Sequence, residues 1–426
     1  MSRDNTARDN TARGNAARDD TARDNTDRYA AMEFRLDWES PRAAHSDRFH
    51  ADRVNFWRDF FPPGLREPLL AADEGNRFRR TYGPGDAIPP YRSDHAFALP
   101  ARKFDPGERE IRPRAGRFYP RGLLRDVSNV FRANIAPFRC VGVEDERVAV
   151  DFNPPLAGRS LSVTASVERI WEKFSDTGGG LTHWMEAAAE GPGMQARWNG
   201  TPTDFFSDHP FEREDERPDG DFYAKPRFVQ HIDATAIGKI SEIYGEWIAP
   251  GGRILDLMGS WTSHLPEALA PRSVVGLGMN AAELDANPVL TDRRIRDLNA
   301  DPRLPFETGA FDAAVCTVSV EYLVDPFAVF REVARVLRPG GVFVATFSNR
   351  WFPPKAIRIW KEIHEFERMG LVMEYFLESG RFETLATRSI RGLPRPEDDR
   401  YADTLWFSDP VYAVRGVRGA DIPPSV

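Results

Sequence analysis

The chain has 426 residues, 41% of them apolar, so it is long enough for two globular units with buried cores. Its net charge of -8 argues against a nucleic-acid surface built on bulk positive charge, and a small-molecule or protein partner is expected instead. Its two distant cysteines, Cys140 and Cys316, exclude a disulfide framework, and no apolar run could span a membrane or act as a signal peptide, so we expect a cytoplasmic protein.

The first thirty residues repeat with a period of five, beginning with Arg3-Asp-Asn-Thr-Ala7. A period of five matches neither a helix nor a strand, and the segment has almost nothing to bury. We therefore predict a disordered pentapeptide-repeat tail over residues 1–30.

Residues 31–175 are predicted to form a smaller N-terminal domain that is β-rich or α+β. Periodicity predicts one helix in its first part, at residues 52–60. Further on, residues 147–152 and 161–167 are rich in β-formers and flank the turn Asn153-Pro-Pro-Leu-Ala-Gly158. This pattern predicts a hairpin-like β unit.

A family resemblance covers roughly residues 116–170. The stretch Val148-Ala-Val-Asp-Phe-Asn-Pro-Pro-Leu-Ala-Gly-Arg-Ser-Leu161 resembles the closing strands of SlyD-like FKBP-type prolyl isomerases, in which an Asn-His-Pro-Leu-Ala-Gly turn is usual. Pro154 replaces the histidine of that turn. The resemblance implies an FKBP-like scaffold or chaperone-like module, and the alternative is an ordinary hairpin with a proline-rich turn.

Residues 176–226 are rich in glycine, proline and acidic residues and are predicted to be a linker or a lid. Their aromatic residues, such as Trp184 and Phe206, indicate that much of the segment packs on a domain. Asp208, His209, Glu212 and Glu214 show no repeated ligand spacing, so we interpret them as a solvated acidic loop and predict no metal site.

From residue 227 to residue 426 the predicted strands and helices alternate. Helices are predicted at residues 234–247, from 263, from 281, at 326–337, 355–369 and 371–377, and strands at 253–257, 273–277, 313–317, 342–347, 382–388 and 411–417. This alternation predicts a Rossmann-like, doubly wound, mostly parallel α/β sheet, closed by a late hairpin-like pair.

This half resembles class I S-adenosylmethionine-dependent methyltransferases of the type 11 group. Four motifs carry the resemblance: Ile254-Leu-Asp256, Leu304-Pro-Phe306 with Phe311-Asp312, Glu332-Val-Ala-Arg-Val-Leu-Arg-Pro-Gly-Gly341, and Val411-Tyr-Ala-Val-Arg415. The resemblance implies S-adenosylmethionine as cofactor and methyl transfer by in-line displacement to an unidentified small-molecule or protein acceptor.

The loop after Asp256 departs from that family, because Met258, Ser260 and Thr262 occupy the usual glycine positions and Gly259 lies between them. Side chains there restrict positive φ and the close approach of a ligand. Ser260, Thr262 and Ser263 are nevertheless good N-cap residues, so a helix N-terminus could face the methionine carboxylate. Trp261 could lie against the sulfonium or the adenine.

The resemblance also assigns the other end of the cofactor. Gly278 stands where the family has the acidic residue that binds the ribose, and Asn280 or Glu283 could substitute for it. Asp297 and Leu298 stand where the family contacts adenine. The predicted cofactor site comprises Asp256, Met258, Gly259, Ser260, Trp261, Gly278, Asn280, Asp297, Leu298 and Ser319.

The predicted catalytic residues are His264, Glu321 and Tyr322. His264 is close enough to the cofactor loop to act as a base, or else it is a capping or packing histidine. Glu321 and Tyr322, with Ser319, should border the acceptor, although Glu321 could simply pair with an arginine.

Several residues have two interpretations. Residues 348–352 line the acceptor pocket or form a helix-entry loop. Trp351, Trp360 and Phe366 form an aromatic cage or belong to the core. Cys316 is interpreted as an inert buried residue.

The alternative for the whole protein is a non-catalytic binding or chaperone-like protein that uses a degenerate methyltransferase fold and an FKBP-like module.

Overall fold

The computed structural model describes residues 25–107, 110–173 and 180–420. The pentapeptide repeats of residues 1–24 therefore lie outside the described residues. Within the described ranges, every helix is too short or too polar to cross a lipid bilayer.

The described residues contain fifteen strands and eight α-helices, with short 3₁₀ turns between them. The strands are β1 (Arg28–Ser40), β2 (Ala43–Asn55), β3 (Arg77–Tyr82), β4 (Ala96–Pro100), β5 (Phe118–Pro120), β6 (Pro137–Glu144), β7 (Arg147–Asp151), β8 (Leu161–Glu172), β9 (Arg253–Leu257), β10 (Ser273–Gly278), β11 (Asp292–Ile295), β12 (Phe311–Thr317), β13 (Leu337–Phe347), β14 (Phe382–Arg391) and β15 (Val411–Arg418). The helices are α1 (Arg66–Leu70), α2 (Trp184–Ala189), α3 (Asp219–Tyr223), α4 (Ala234–Trp247), α5 (Ala281–Ala286), α6 (Pro326–Val336), α7 (Arg358–Glu362) and α8 (Glu365–Glu378).

Eleven of these strands form one sheet, in the order β11-β10-β9-β12-β13-β15-β14-β2-β1-β8-β3, and β4, β7, β6 and β5 form a second sheet. The five strands from β11 to β13 are parallel. β15 runs antiparallel between β13 and β14. The C-terminal half is thus a mixed α/β fold built on a mostly parallel sheet, as predicted.

Helices cover both faces of the parallel strands because those strands are apolar on both sides. On one face, Ile240 and Ile243 of α4 pack in a core cluster with Ile254 of β9. On the other face, α6 and α8 belong to a larger cluster that contains Leu255 and Leu257. α4 and α6 begin at the predicted positions, where Asp233 and Asp325 accept backbone N–H groups as N-caps.

Two helix predictions in this half are wrong. The helix predicted from residue 263 does not form: His264 has a φ of 53°, Pro266 follows it, and only a 3₁₀ turn forms at Glu267–Leu269. The helix predicted at residues 355–369 is split into α7 and α8, because His364 and Glu367 form a capping box that starts a new helix.

The predicted late pair, β14 and β15, forms but does not close the sheet. β14 also pairs in parallel with β2, from Leu385 opposite Ala43 to Arg391 opposite Phe49. The N-terminal strands therefore extend the same sheet. The predicted domain boundaries at residues 175 and 227 remain predictions.

The first part of the chain differs from its predictions in two places. Residues 52–60 do not form a helix: β2 continues to Asn55, and the backbone N–H of Asn55 then donates to Asp59 across a turn. The predicted end of the tail at residue 30 overlaps the first strand, because β1 begins at Arg28. Asn25 is buried and donates to the carbonyl oxygens of Leu69 and Ala72.

The predicted hairpin is also wrong. β7 pairs with β4 and β6 in the small sheet, whereas β8 pairs with β1 and β3 in the large sheet. The Asn153 side chain accepts from the Arg92 N–H and donates to the Arg92 carbonyl, which ties the turn to the start of the inserted strands. The small sheet is thus an insertion between β3 and β8, two strands that pair with each other.

Much of the segment at 180–226 packs on both halves of the chain. Trp184 stacks on Phe34 of β1, and Phe206 packs edge-on against Phe327 of α6. Arg197 forms a bidentate ion pair with Glu374 of α8, and both side chains are largely buried. The aromatic residues of this segment are therefore packed.

Candidate active site

A cavity lies at the carboxyl ends of β9, β10 and β12 and encloses about 1180 Å³ of empty space, its open mouth included. Two parts of the chain form its walls: the loops that follow the three strands, and residues 219–232, which we call the covering segment. All ten predicted cofactor residues line this cavity.

Asp256 lies at the end of β9 and is 1% exposed. The Ser263 hydroxyl donates a 2.6 Å hydrogen bond to its carboxylate, and the Asn287 side chain in turn donates to Ser263. Burial raises the pKa of Asp256 to about 7. Ser263 therefore holds Asp256 and does not cap a helix, and the predicted N-caps at Ser260, Thr262 and Ser263 are wrong because no helix follows them.

Gly278 lies against the Gly259 carbonyl and Gly259 lies against the Asp256 carboxylate, so neither position has room for a Cβ. A Cβ on Gly278 would lie 2.3 Å from the Gly259 carbonyl oxygen, and a Cβ on Gly259 would lie 2.7 Å from the Asp256 carboxylate. Gly278 replaces the expected acidic residue because the β9 loop occupies the space of its side chain.

The first substituted glycine position keeps the glycine conformation. Met258 has a φ of 56°, in the left-handed region that side chains disfavour. Val318, at the end of β12, has a φ of 48°, which is rarer still for a β-branched residue. Both residues line the cavity, so backbone strain is concentrated at this site.

Asn280 and Glu283, the predicted substitutes for the ribose acid, bind the covering segment. The Asn280 side chain donates to the carbonyl oxygens of Tyr223 and Ala224. Glu283 accepts from the Arg227 backbone N–H at 2.7 Å and from the Ser260 hydroxyl at 2.6 Å. These contacts hold residues 223–227 against the cavity.

Trp261 makes a third contact of this kind. Its indole N–H donates to the Val229 carbonyl at 3.4 Å, and its ring lies edge-on to Phe228 at 6.3 Å. Glu283 and Trp261 thus bind the covering segment directly. Ser260 binds it through Glu283.

The residues predicted to contact adenine, Asp297 and Leu298, both line the cavity. One carboxylate oxygen of Asp297 accepts the backbone N–H groups of Asn299 and Ala300, and the described contacts leave its other oxygen free to accept a further donor. Leu298 is buried beside it at 4% exposure. The Ser319 hydroxyl donates to the Thr317 carbonyl and reaches the Met258 carbonyl at 3.5 Å.

The three predicted catalytic residues have different environments. His264 lines the cavity, and burial lowers its pKa to about 4, so its imidazole is neutral at neutral pH. Tyr322 also lines the cavity, but its hydroxyl accepts the Phe352 N–H and burial raises its pKa well above the usual value. Glu321 is fully buried and does not line the cavity, which contradicts its predicted place beside the acceptor.

The residues with two interpretations are also placed. Phe352 lines the cavity and stacks on Tyr322. Trp360 and Phe366 are fully buried in the core, so the aromatic cage is wrong, and Trp351 lies under the guanidinium of Arg368. Cys316 is fully buried, as predicted.

The acidic loop forms ion pairs within the chain. Asp208 pairs with Arg114, and Glu214 pairs with Lys361. Over the ranges that the structure describes, no three His, Cys, Asp or Glu side chains are grouped to hold a metal ion.

One wall of the cavity was not predicted from the sequence: the covering segment, which includes Tyr223, Arg227, Gln230 and His231. The His231 ring lies edge-on to Phe352, with 5.0 Å between the ring centroids. The aromatic residues of this segment, which is otherwise typical of a linker, were the sequence feature that indicated packing against a domain.

Comparison with known proteins places a methyltransferase domain at this cavity. Residues 258–345 match a protein-family model described as a methyltransferase domain. An ubiquinone biosynthesis O-methyltransferase of Xanthomonas campestris pv. campestris is 30% identical over 113 residues, which cover 24% of this chain and 45% of the relative. A demethylmenaquinone methyltransferase of Mycolicibacterium gilvum is 34% identical over 105 residues, which cover 24% of this chain and 45% of the relative.

The chain spans less than half the length of these curated relatives. Among solved structures, an S-adenosylmethionine-dependent methyltransferase from Mesorhizobium loti aligns over 40% of this chain and 92% of its own, at 18% identity and a TM-score of 0.28. That likeness is too small to bear on function. The sequence matches confirm the predicted methyltransferase domain over residues 258–345, and they support the predicted enzyme class.

Proposed function

We propose that the chain is an S-adenosylmethionine-dependent methyltransferase that acts on a small-molecule acceptor bound in this cavity. One observation carries the proposal: all ten predicted cofactor residues converge on the same cavity as two histidines and an aromatic wall. When bound, S-adenosylmethionine supplies an electrophilic methyl group that is transferred by in-line displacement.

The residues present fit the cofactor. The free oxygen of Asp297 would accept the adenine amino group, and Leu298 would pack on the ring. Gly259 and Gly278 also line the cavity, and their lack of side chains lets a ligand approach the backbone of the β9 loop. The covering segment would exclude water from the reacting atoms, which favours displacement over hydrolysis.

The acceptor side is aromatic. Tyr223, Tyr322 and Phe352 line the cavity, and His264 and His231 stand beside them. Burial lowers the pKa of both histidines, so each imidazole is neutral at neutral pH and has a ring nitrogen that can accept a hydrogen bond from an acceptor hydroxyl. The relatives are named for ubiquinone and menaquinone biosynthesis, which supports a phenolic or quinol-like acceptor.

The FKBP-like module at residues 116–170 remains a prediction. Its strands are divided between two sheets, so an isomerase or chaperone-like role would have to arise from the two sheets together. A proline-limited refolding assay with the full chain would detect isomerase activity.

Calorimetry of the full chain with S-adenosylmethionine and S-adenosylhomocysteine tests the proposal. Micromolar binding of both is expected, together with S-adenosylhomocysteine formation when 3,4-dihydroxybenzoate or another phenol is added. If neither S-adenosylmethionine nor S-adenosylhomocysteine binds at millimolar concentration, the proposal is wrong. Binding without turnover on any of a panel of phenols and quinols would favour the non-catalytic alternative.

A further inference from the structure

A second cleft lies on the open face of the large sheet, where the N-terminal strands meet β14. Its lining includes Arg35, Arg79, Arg159 and Arg388, and we call it the arginine cleft. Arg48 lies on the same face, directly opposite Arg35 in the pairing of β1 with β2. The buried face of these strands, by contrast, carries the apolar core residues Phe34 and Leu36.

The positions of the arginines follow from strand register. Arg35 on β1 is opposite Thr164 on β8, and Thr164 is opposite Arg79 on β3. Arg48, Arg35 and Arg79 therefore lie in one row across four neighbouring strands. A like-charged pair directly opposite on two strands is destabilising, so the Arg35 and Arg48 pair costs stability.

Carboxylates only partly balance this charge. Arg35 pairs with Asp37, and Glu246 pairs with both Arg48 and Arg388. Among the described residues, neither Arg79 nor Arg159 has a carboxylate oxygen within 4.0 Å of its guanidinium. The lining also includes Glu39, so the cleft holds four arginines against the two carboxylates of Asp37 and Glu39, on a chain whose net charge is -8.

Buried donors in the cleft also lack partners. Arg388 is 7% exposed and its Nε–H makes no hydrogen bond, nor does the buried Ser46 hydroxyl opposite it. Unsatisfied buried donors cost free energy unless an acceptor reaches them. The guanidinium of Arg159 covers the Trp38 ring, and that of Arg388 covers the Trp247 ring. These ring faces are therefore not available to stack on a ligand.

We propose that the arginine cleft binds a phosphate group carried by a small molecule. Guanidinium groups present paired N–H donors that match phosphate oxygens. Neither Arg79 nor Arg159 is neutralised by a carboxylate, although Arg159 donates to the Glu39 carbonyl oxygen, so a doubly charged anion would balance both charges. The cleft is separate from the methyltransferase cavity. α4 runs from Ala234, beside that cavity, to Trp247 in the cleft, and its fourteen residues span roughly 21 Å.

Calorimetry of the full chain with inorganic pyrophosphate, at low ionic strength, tests this site. The wild-type chain should bind it, and Arg79→Gln should weaken binding about tenfold, the loss of one charge-assisted hydrogen bond. Arg79 is exposed, so this change should leave thermal stability unaltered. Arg331→Gln is the matched control, because Arg331 is exposed on α6, on the other face of the sheet.

Each other outcome overturns the proposal. Absence of binding to the wild-type chain, or equal weakening by Arg331→Gln and Arg79→Gln, would show that the cleft is not a phosphate site. Citrate binding as tightly as pyrophosphate would remove the phosphate assignment. Arg35→Gln gives a second readout, since it should weaken pyrophosphate binding while relieving the repulsion with Arg48.

Discussion

A Cβ on Gly278 would lie 2.3 Å from the carbonyl oxygen of Gly259. The two glycines belong to the ends of neighbouring parallel strands, and their contact brings the β9 loop against β10. The cavity keeps its shape because both positions lack a side chain. Packing against the Gly259 carbonyl thus excludes the acidic residue that the family resemblance places at position 278.

Gly278→Asp, which restores the acidic residue of the resembling family, should therefore fail to improve the site. The new side chain would push the β9 loop away, so we expect at least a tenfold loss of S-adenosylhomocysteine affinity and a destabilisation of about 1–3 kcal/mol. Calorimetry and chemical denaturation measure the two effects. Gly238→Ala is the control, because a Cβ there meets nothing within 4 Å and should slightly stabilise α4. Tighter cofactor binding by Gly278→Asp would contradict this account.

Asp256 should make the stability of the protein depend on pH. Its pKa is 3.8 in the unfolded chain and about 7 when folded, so between these values the folded state binds more protons than the unfolded state. Its contribution therefore lowers stability as pH rises through this window, by at most about 1.4 kcal/mol per pH unit. Asp256→Asn should make that slope shallower in urea denaturation measured from pH 4 to pH 7, with a remainder of the same sign from Glu321, whose pKa burial raises to about 8.

Asp256 should also matter for cofactor binding. Asp256→Ala removes the acceptor of the Ser263 hydroxyl and frees the loop, so loss of S-adenosylmethionine binding with the fold retained is expected. Circular dichroism reports the fold and calorimetry reports the affinity. An unchanged affinity would mean that the β9 loop does not hold the cofactor.

Trp261 and Phe228 should act together in retaining the cofactor. Trp261→Ala removes a hydrogen bond to the Val229 carbonyl and an edge-on aromatic contact, so the covering segment should open more often. We expect S-adenosylhomocysteine to dissociate several-fold faster in stopped-flow displacement. In a double-mutant cycle with Phe228→Ala, a coupling of about 0.5–1.5 kcal/mol is expected. Purely additive effects would show that the two rings do not cooperate.

Arg197→Met should be strongly destabilising because it leaves the Glu374 carboxylate buried without its partner. The side chains of the pair are 14% and 4% exposed, and a loss of about 3–5 kcal/mol is expected in urea denaturation. Arg197→Met combined with Glu374→Leu should recover much of that loss. If the double variant is no more stable than Arg197→Met, the buried charge is not the cause.

His264 should serve as the base if the acceptor loses a hydroxyl proton. With a pKa of about 4 it is neutral above pH 5, so kcat/KM should be flat near neutrality and fall only in more acidic solution. His264→Gln should lower kcat about a hundredfold with little change in S-adenosylmethionine affinity. His231→Gln is the comparison: a larger loss there than in His264→Gln would transfer the role to His231.

The amino-acid sequence by itself determined most of the strands and two of the long helices of the C-terminal half. Buried strands such as β9 and β12 are short runs of β-forming residues, and α4 and α6 begin at Asp233 and Asp325, side chains that cap a helix locally. These signals act over a few residues and do not depend on the rest of the fold. The ten predicted cofactor residues came from the resemblance to class I methyltransferases, and they line one cavity because they lie near the ends of neighbouring strands.

Only the tertiary structure decided what those residues contact. The sequence pattern predicts Ser263 as an N-cap, yet its hydroxyl donates to Asp256. The pattern of residues 147–167 predicts a hairpin, but its two strands pair with partners from elsewhere in the chain. The opposition of Arg35 and Arg48 likewise appears only when β1 and β2 pair in register. Long-range pairing and the space that one loop leaves for another depend on contacts between residues far apart in the chain, and local patterns carry no information about them.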